Sequence, residues 1–326
     1  MTGNHSIPLD RAKRPGEDRR PVLFRFIAGI PSGVVVGIGK MIGLAAYTID
    51  WPHRRIIRRN LKFAFPDWSP SRIRQVARQV FQNFGITAME IFQLAGLSRE
   101  TILKTVRISG ENYLHDAMTD PRGVILISAH QGNWEVLPLF TACYFGRPVS
   151  CVMRPLETGI LDRWIRRIRT RFGNRVLEKD GAFSEMSRTL RGGGMVGIVI
   201  DQGTKSSEGI EATLFNRKVT ATPGAALLAM RCRSPVLPMY CVRDPDNGLR
   251  LVVEPPVTIQ RTGNMRMDLK VNTQLMMTVI ERIISRHPDQ WFWFHKRWKK
   301  HYPELYPEYV ARRKRRKARE KERKWA

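Results

Sequence analysis

The sequence predicts an α/β protein, with a mostly parallel central sheet flanked by helices and an N-terminal membrane-associated helix ahead of it. Short uncharged runs recur along the chain, most plainly residues 124–129 (VILISA) and 195–200 (MVGIVI). A parallel strand covered on both faces needs such a run, because neither of its sides meets water. Between the runs lie segments with apolar residues at helical spacing, and alternation of the two predicts strand–crossover–strand units. The third observation is an apolar stretch over residues 22–49 whose only charges are Arg25 and Lys40.

Taken in order, residues 1–21 are polar, basic and Pro-containing and read as a flexible lead. Residues 22–62 form a membrane-associated segment. Within it residues 26–39 are uncharged but interrupted by Pro31, which is short of the roughly 20 residues of an unaided span. Basic residues flank it on both sides, so charge asymmetry assigns no orientation, and a segment dipping into one leaflet fits that symmetry better than a single pass. Gly29, Gly33 and Gly37 recur every fourth residue and predict a smooth helix face for close packing. Arg54, Arg55, Arg58, Arg59 and Lys62 then share one side of a helix while Ile56, Ile57 and Leu61 point elsewhere, the pattern of a helix on an anionic surface.

The main domain is expected over residues 63–305. Ser69 or Ser71 caps a long helix over 71–97, with Pro70 at its start. After the strand at 124–129, further strands are expected at 148–153, 195–200, 235–242 and 249–253. Helices are expected at 134–144, 160–171, 184–190, 223–231 and 267–286, the last stopped by Pro288. An aromatic knot, DQWFWFHKRW, follows at 289–298; it suits either a membrane interface or a buried core. Residues 306–326 form a basic tail, carrying a net +8 between Arg312 and Lys324.

The formal charge of +27 and pI near 10.9 imply an anionic partner: nucleic acid, an anionic membrane, or an acidic protein or substrate. Charge by itself does not choose among them. Cys143, Cys151, Cys232 and Cys241 show no metal-binding or redox spacing and read as buried thiols in a reducing compartment. No GxSxG, HExxH or GxxxxGK[ST] motif is present, and GIGKMIG misses the dinucleotide fingerprint, so no metal or cofactor is proposed.

The chemistry centres on His130 and Glu135, placed directly after the run 124–129. A histidine is the natural base near neutral pH, and a carboxylate on its second ring nitrogen fixes the tautomer and stabilises the imidazolium. Glu135 lies in the first turn of the next helix, with Asn133 available as its cap. A His and a Glu five apart also occur as purely structural residues, so spacing alone leaves both roles open.

SAHQGNWE (128–135) resembles the H-x4-D/E motif of the lysophospholipid acyltransferase superfamily, in the form used by the lipid A late acyltransferases, the lauroyl and myristoyl transferases of Gram-negative bacteria. RRNLKFAFP (58–66), VMRP (152–155), the pair Asp201–Gln202, TPGAALLA (222–229) and HPDQWFWFHKRWK (287–299) follow in the family's order. The resemblance spans about residues 22–298. It implies a glycerolipid acyltransferase-like fold and direct transfer of a fatty acyl group from acyl carrier protein to a hydroxyl of a lipid A precursor, at the cytoplasmic face of the inner membrane. His130 would be the base and Glu135 its partner. Arg171 is the first choice for oxyanion stabilisation and Arg154 the second; Asp201, at the end of a strand on the same sheet edge, supports the site. The implied partners are acyl carrier protein, a lipid A precursor and an anionic membrane surface, with basic faces at Arg163, Arg166, Arg167 and Arg169 meeting the first two. Two alternatives are acylation of another glycolipid or lysophospholipid and, from a different class, a membrane-anchored basic nucleic-acid-binding protein, for which no recognition motif is present.

Overall fold

The computed structural model describes residues 26–153, 158–178, 181–204, 206–313 and 315. The first long helix, α1 (Ser32–Ile49), starts immediately after Pro31, whose fixed φ suits a helix entrance and not its interior. Its 18 residues are long and apolar enough to cross a membrane by length and composition, with Lys40 inside. Val34, Met41, Ile42 and Ile49 are exposed on it. The predicted smooth face is displaced. Gly33 and Gly37 face open space, whereas Gly39 and Gly43 meet α3 (Pro70–Leu94) at Gly85 and the backbone around Phe81. A Cβ on Gly43 would lie 2.3 Å from the Phe81 carbonyl oxygen, so only glycine permits this approach. Gly29 lies outside α1.

The next helix, α2 (Trp51–Ala64), is capped by the Asp50 side chain. It buries Ile56, Ile57, Asn60, Leu61 and Ala64. Its basic residues lie on the other side, as the pattern predicts, although Arg54 and Arg58 fold back onto Tyr47 and Arg59 pairs with Glu308. Ser69 caps α3 through the Arg72 N–H.

The body alternates as expected. After α4 (Arg99–Thr105) come β1 (Val106–Ser109), α5 (Glu111–Met118), β2 (Val124–Ser128), α6 (Val136–Phe145), β3 (Val149–Met153), α7 (Gly159–Arg169), β4 (Arg175–Glu178), α8 (Ala182–Arg191) and β5 (Met195–Val199). A hairpin, β6 (Ile210–Leu214) and β7 (Arg217–Ala221), precedes α9 (Gly224–Cys232), β8 (Val236–Arg243), β9 (Leu249–Val253) and α10 (Met265–Arg286). The seven-stranded sheet has the order β1-β9-β8-β2-β5-β3-β4, and every neighbouring pair is parallel except β8–β9.

β2 lies at the centre, and its side chains alternate between two cores. Ile125, Ile127 and Ala129 join the layer containing α2, α3, α8, α9 and α10, while Val124 and Leu126 join the layer of α4, α5 and α6. This period of two, with both faces covered, is why the run carries no charge. The aromatic knot belongs to the first core: Trp291, Trp293 and Trp298 are all buried. Asn60 of α2 binds it from below, donating to the carbonyls of Trp293 (2.8 Å) and His295 (3.0 Å) and accepting from the Tyr306 hydroxyl (2.5 Å). The basic tail therefore begins from a buried anchor at Tyr306, and a helix over 307–313 follows. Cys143 and Cys241 are buried and Cys151 and Cys232 half-buried, with no disulfide among them.

Candidate active site

The site follows from strand register. β2 and β5 are parallel, with Ser128 opposite Val199, and the Ile200 N–H donates to the Ser128 carbonyl at 3.0 Å. Two residues further on, His130 and Asp201 leave the sheet side by side at its carboxyl edge, where open α/β sheets place their ligands. His130 Nδ1 lies 2.8 Å from Asp201 Oδ1. The other carboxylate oxygen accepts the His130 backbone N–H at 3.1 Å and the Trp291 indole N–H at 2.7 Å.

Asp201 is 1% exposed. Burial by itself opposes its charge, yet the His130 imidazole and these hydrogen bonds hold its carboxyl down at about 2. It is therefore ionised at neutral pH and accepts the Nδ1–H hydrogen bond, which leaves the lone pair of the neutral ring on Nε2. Burial likewise disfavours the charged form of His130, but Asp201, by charge and hydrogen bond, and Glu135, by charge, more than offset it, and the imidazole is raised above its ordinary value.

The loop carrying His130 is held from three sides. Gly132 has φ +55°, and a Cβ there would sit 2.1 Å from the Cys241 carbonyl oxygen, so no other residue fits. The Phe292 N–H donates to the His130 carbonyl (3.0 Å), and the Gly132 N–H donates to the Gln290 carbonyl (2.8 Å). From α3, the Thr87 hydroxyl donates to the Gly132 carbonyl (3.2 Å), and Glu90 accepts from Asn133 (2.9 Å). Glu90 also takes both terminal nitrogens of Arg243, at 2.7 and 2.6 Å, in a buried bidentate pair. The face of His130 is lined by aromatic rings: Trp134 at 5.2 Å and Phe292 at 6.1 Å between centroids, with half-exposed Phe84 beyond them.

These positions correct several sequence expectations. Glu135 is not the carboxylate on the His130 ring. Its Oε2 accepts from Arg169 Nε at 2.6 Å, its Oε1 from Arg169 Nη2 and, at 3.0 Å, from the Trp134 indole N–H. Glu135 acts on His130 through its charge, and Arg169 opposes it. Asn133 does not cap α6 through its side chain: its Nδ2 donates to Glu90, and its Oδ1, the atom a cap would use, accepts no hydrogen bond among the described residues. Arg171 is turned away to the end of α3, donating to the carbonyl of Leu94, a group that a helix end leaves unpaired, and to that of Leu97 in the connection beyond it. Arg154 lies outside the described residues. Asp201 takes the position expected of Glu135. Of the predicted basic face, Arg169 is committed to Glu135, and Arg166 approaches Asp162 and Glu178.

Sequence reasoning missed Trp291, Glu90 and Arg243 as parts of the site, and it assigned Arg169 to a surface. Arg169 left one legible signal: it ends an amphipathic helix two residues before Arg171, in the same RTRFGN segment. Among the described residues no group of three or more His, Cys, Asp or Glu side chains is arranged to hold a metal.

A His–Asp pair at the carboxyl edge of a parallel sheet, with the carboxylate on Nδ1 and not on Nε2, is an arrangement that can serve as a general base. The model of the bacterial lipid A biosynthesis acyltransferase family matches residues 22–300, and the chain belongs to that family. It is 24% identical over 277 residues to a lipid A biosynthesis lauroyltransferase of Escherichia coli, covering 84% of this chain and 88% of the relative. It is 23% identical over 273 residues to the palmitoleoyltransferase of the same organism, covering 83% and 86%. A phosphatidylinositol mannoside acyltransferase of Mycobacterium tuberculosis is 22% identical over 223 residues, covering 67% and 68%.

Proposed function

We propose that this acyltransferase moves a fatty acyl group from acyl carrier protein to a hydroxyl of a lipid A precursor, with His130 as general base and Asp201 as the carboxylate that orients it and balances its charge. The observation that carries the reading is the 2.8 Å contact between His130 Nδ1 and Asp201 Oδ1, which leaves Nε2 free at the sheet edge. Nε2 takes the proton of the acceptor hydroxyl as its oxygen attacks the thioester carbonyl carbon. The tetrahedral oxyanion then collapses and the C–S bond breaks. The imidazolium returns the proton to the departing thiolate, so no acyl-enzyme forms.

Arg169, a cation whose charge reaches His130, is the side chain best placed to stabilise the oxyanion, and Glu135 holds its guanidinium in register. The aromatic surface of Trp134, Phe292 and Phe84 offers the acyl chain an apolar approach to the base. The exposed apolar side chains of α1 and the basic side of α2 suit an enzyme seated on an anionic membrane surface, and an acyl carrier protein donor implies the cytoplasmic face of the inner membrane.

The similarity to a phosphatidylinositol mannoside acyltransferase supports a second acceptor reading, a different glycolipid, with the same base chemistry. Mass spectrometry of lipid A from cells with and without the gene decides between them. Loss of one acyl chain is expected from lipid A, and unchanged lipid A with an altered glycolipid would move the acceptor. The mass of the missing chain reports its length.

A further inference from the structure

The apolar helix α1 has the length of a membrane span, about 27 Å for its 18 residues against a hydrocarbon core of about 30 Å. It is nevertheless fastened to the domain at both ends and in the middle. At its entrance the Gln93 amide of α3 donates to the Ile30 carbonyl (2.8 Å). Further along, a Cβ on Gly39 would lie 2.5 Å from the Ile86 Cα, so the two helix backbones touch. Near its end Tyr47 packs edge-on against Phe81, with 5.5 Å between centroids, and takes hydrogen bonds from Arg54 and Arg58 of α2. Lys40, at the midpoint of α1, donates to the Asn247 side chain (3.2 Å) in the turn between β8 and β9. That turn also holds the ion pairs Arg107–Asp244 (2.8 Å), Arg107–Asp246 (2.8 Å) and Arg250–Asp244 (2.7 Å). A spanning α1 would carry this lysine, and the charged turn with it, to the bilayer midplane, where no water remains to solvate them.

We propose that α1 does not cross the membrane but lies along one leaflet, presenting Val34, Met41, Ile42 and Ile49 to the acyl chains while its opposite side stays on α3. This rests on the membrane seating proposed above. The four residues recur at spacings of seven and eight and so share one side of the helix, away from buried Val35, Val36, Gly39 and Gly43. Met41 is 66% exposed and Ile49 81%. The row runs on to exposed Trp51, whose ring carries the Arg55 guanidinium at 3.6 Å, where the basic side of α2 begins. An anionic leaflet matches both parts, acyl chains meeting the apolar row and headgroups meeting the arginines. A second copy of this chain, with its formal charge of +27, would set basic side against basic side. Because α3 also binds the His130 loop, through Thr87 and Glu90, an in-plane α1 fixes the height of the base above the leaflet.

The test places a nitroxide label at Val34→Cys, Met41→Cys and Ile49→Cys in turn, in full-length enzyme on phosphatidylethanolamine–phosphatidylglycerol vesicles, with wild type as the control for labelling of the native cysteines. Depth read from oxygen and nickel-chelate relaxation should be alike at all three sites, about 5–10 Å below the headgroups. Met41 near the bilayer centre, about 15 Å deep, with Val34 and Ile49 shallow, would show a span and overturn the proposal while leaving the membrane seating intact. Sidedness gives an independent reading. A membrane-impermeant maleimide should reach Asn4→Cys and Arg188→Cys, the latter an exposed marker on α8, from the same side of sealed membrane vesicles. Labelling from opposite sides would overturn the proposal as well. Enzyme that stays off the vesicles as a dimer would sink the membrane seating itself and assign the apolar row to a second copy of the chain.

Discussion

The loop after β5 and the start of α6 each bring a buried carboxylate to His130, and the two are bound in opposite ways. Asp201 receives the ring Nδ1, the His130 N–H and the Trp291 indole, all neutral donors when His130 is unprotonated. Its negative charge is therefore available to an imidazolium. Glu135 receives a guanidinium across both oxygens. Its charge is largely spent on Arg169, and the pair shapes the site without sharing a proton with the base. A carboxylate near a catalytic histidine is thus not enough to make it a partner; what else neutralises it decides.

Ordered by size, the experiments that break or sharpen this contrast begin with the base. His130→Ala should lower transfer by roughly 10²–10⁴-fold while circular dichroism and melting temperature stay near wild type. Asp201→Asn should follow, losing on the order of 10²–10³-fold because the amide favours the wrong tautomer. It should also move the acid limb of kcat/KM to lower pH, since the wild-type imidazole is raised mainly against its own burial by the Asp201 charge. A limb that stays in place after Asp201→Asn would return the partner role to Glu135.

Glu135→Gln should behave differently, lowering stability and activity together by leaving the Arg169 cation half-buried without its partner. The expected loss is about 1–3 kcal/mol by denaturant titration, and much of it should return in Glu135→Gln/Arg169→Met, read as coupling in a double-mutant cycle. The smallest effect is expected from Trp291→Phe, which removes one hydrogen bond to a carboxylate. A fall of roughly tenfold in kcat with little change in KM corresponds to about 1.5 kcal/mol. A large KM effect would instead place Trp291 in substrate binding.

Much of the fold was legible because its strands are uncharged runs and its helices carry strong periodicity. The run at 249–253 coincides with β9, and the helix expected at 267–286 differs from α10 only at its start. β1 and β4 escaped notice because each has four residues at an edge of the sheet and no continuous apolar run. The β6–β7 hairpin escaped because its turn is Phe215–Asn216, both at positive φ, in place of the glycine-containing pairs that advertise such turns. The site was half legible. His130 stands out as the first polar ring after the central run, and Asp201 ends a second run of the same design. Arg169 and Arg171 look alike in sequence; only the direction each side chain takes separates an arginine that meets Glu135 from one that caps α3.

By itself the sequence determined the alternating architecture, the apolar helix ahead of it, and the delivery of His130 and Asp201 to strand ends. Each of these is written in local periodicity and charge. The choice of carboxylate belonged to the tertiary structure, because it depends on β2 and β5 lying side by side in one register, which brings together residues 71 positions apart in the chain. The same is true of Trp291 on Asp201 and Arg169 on Glu135. Hydrogen bonds and buried charge act over a few ångströms, and which groups come that close is settled only when the strands pair and the cores close around them.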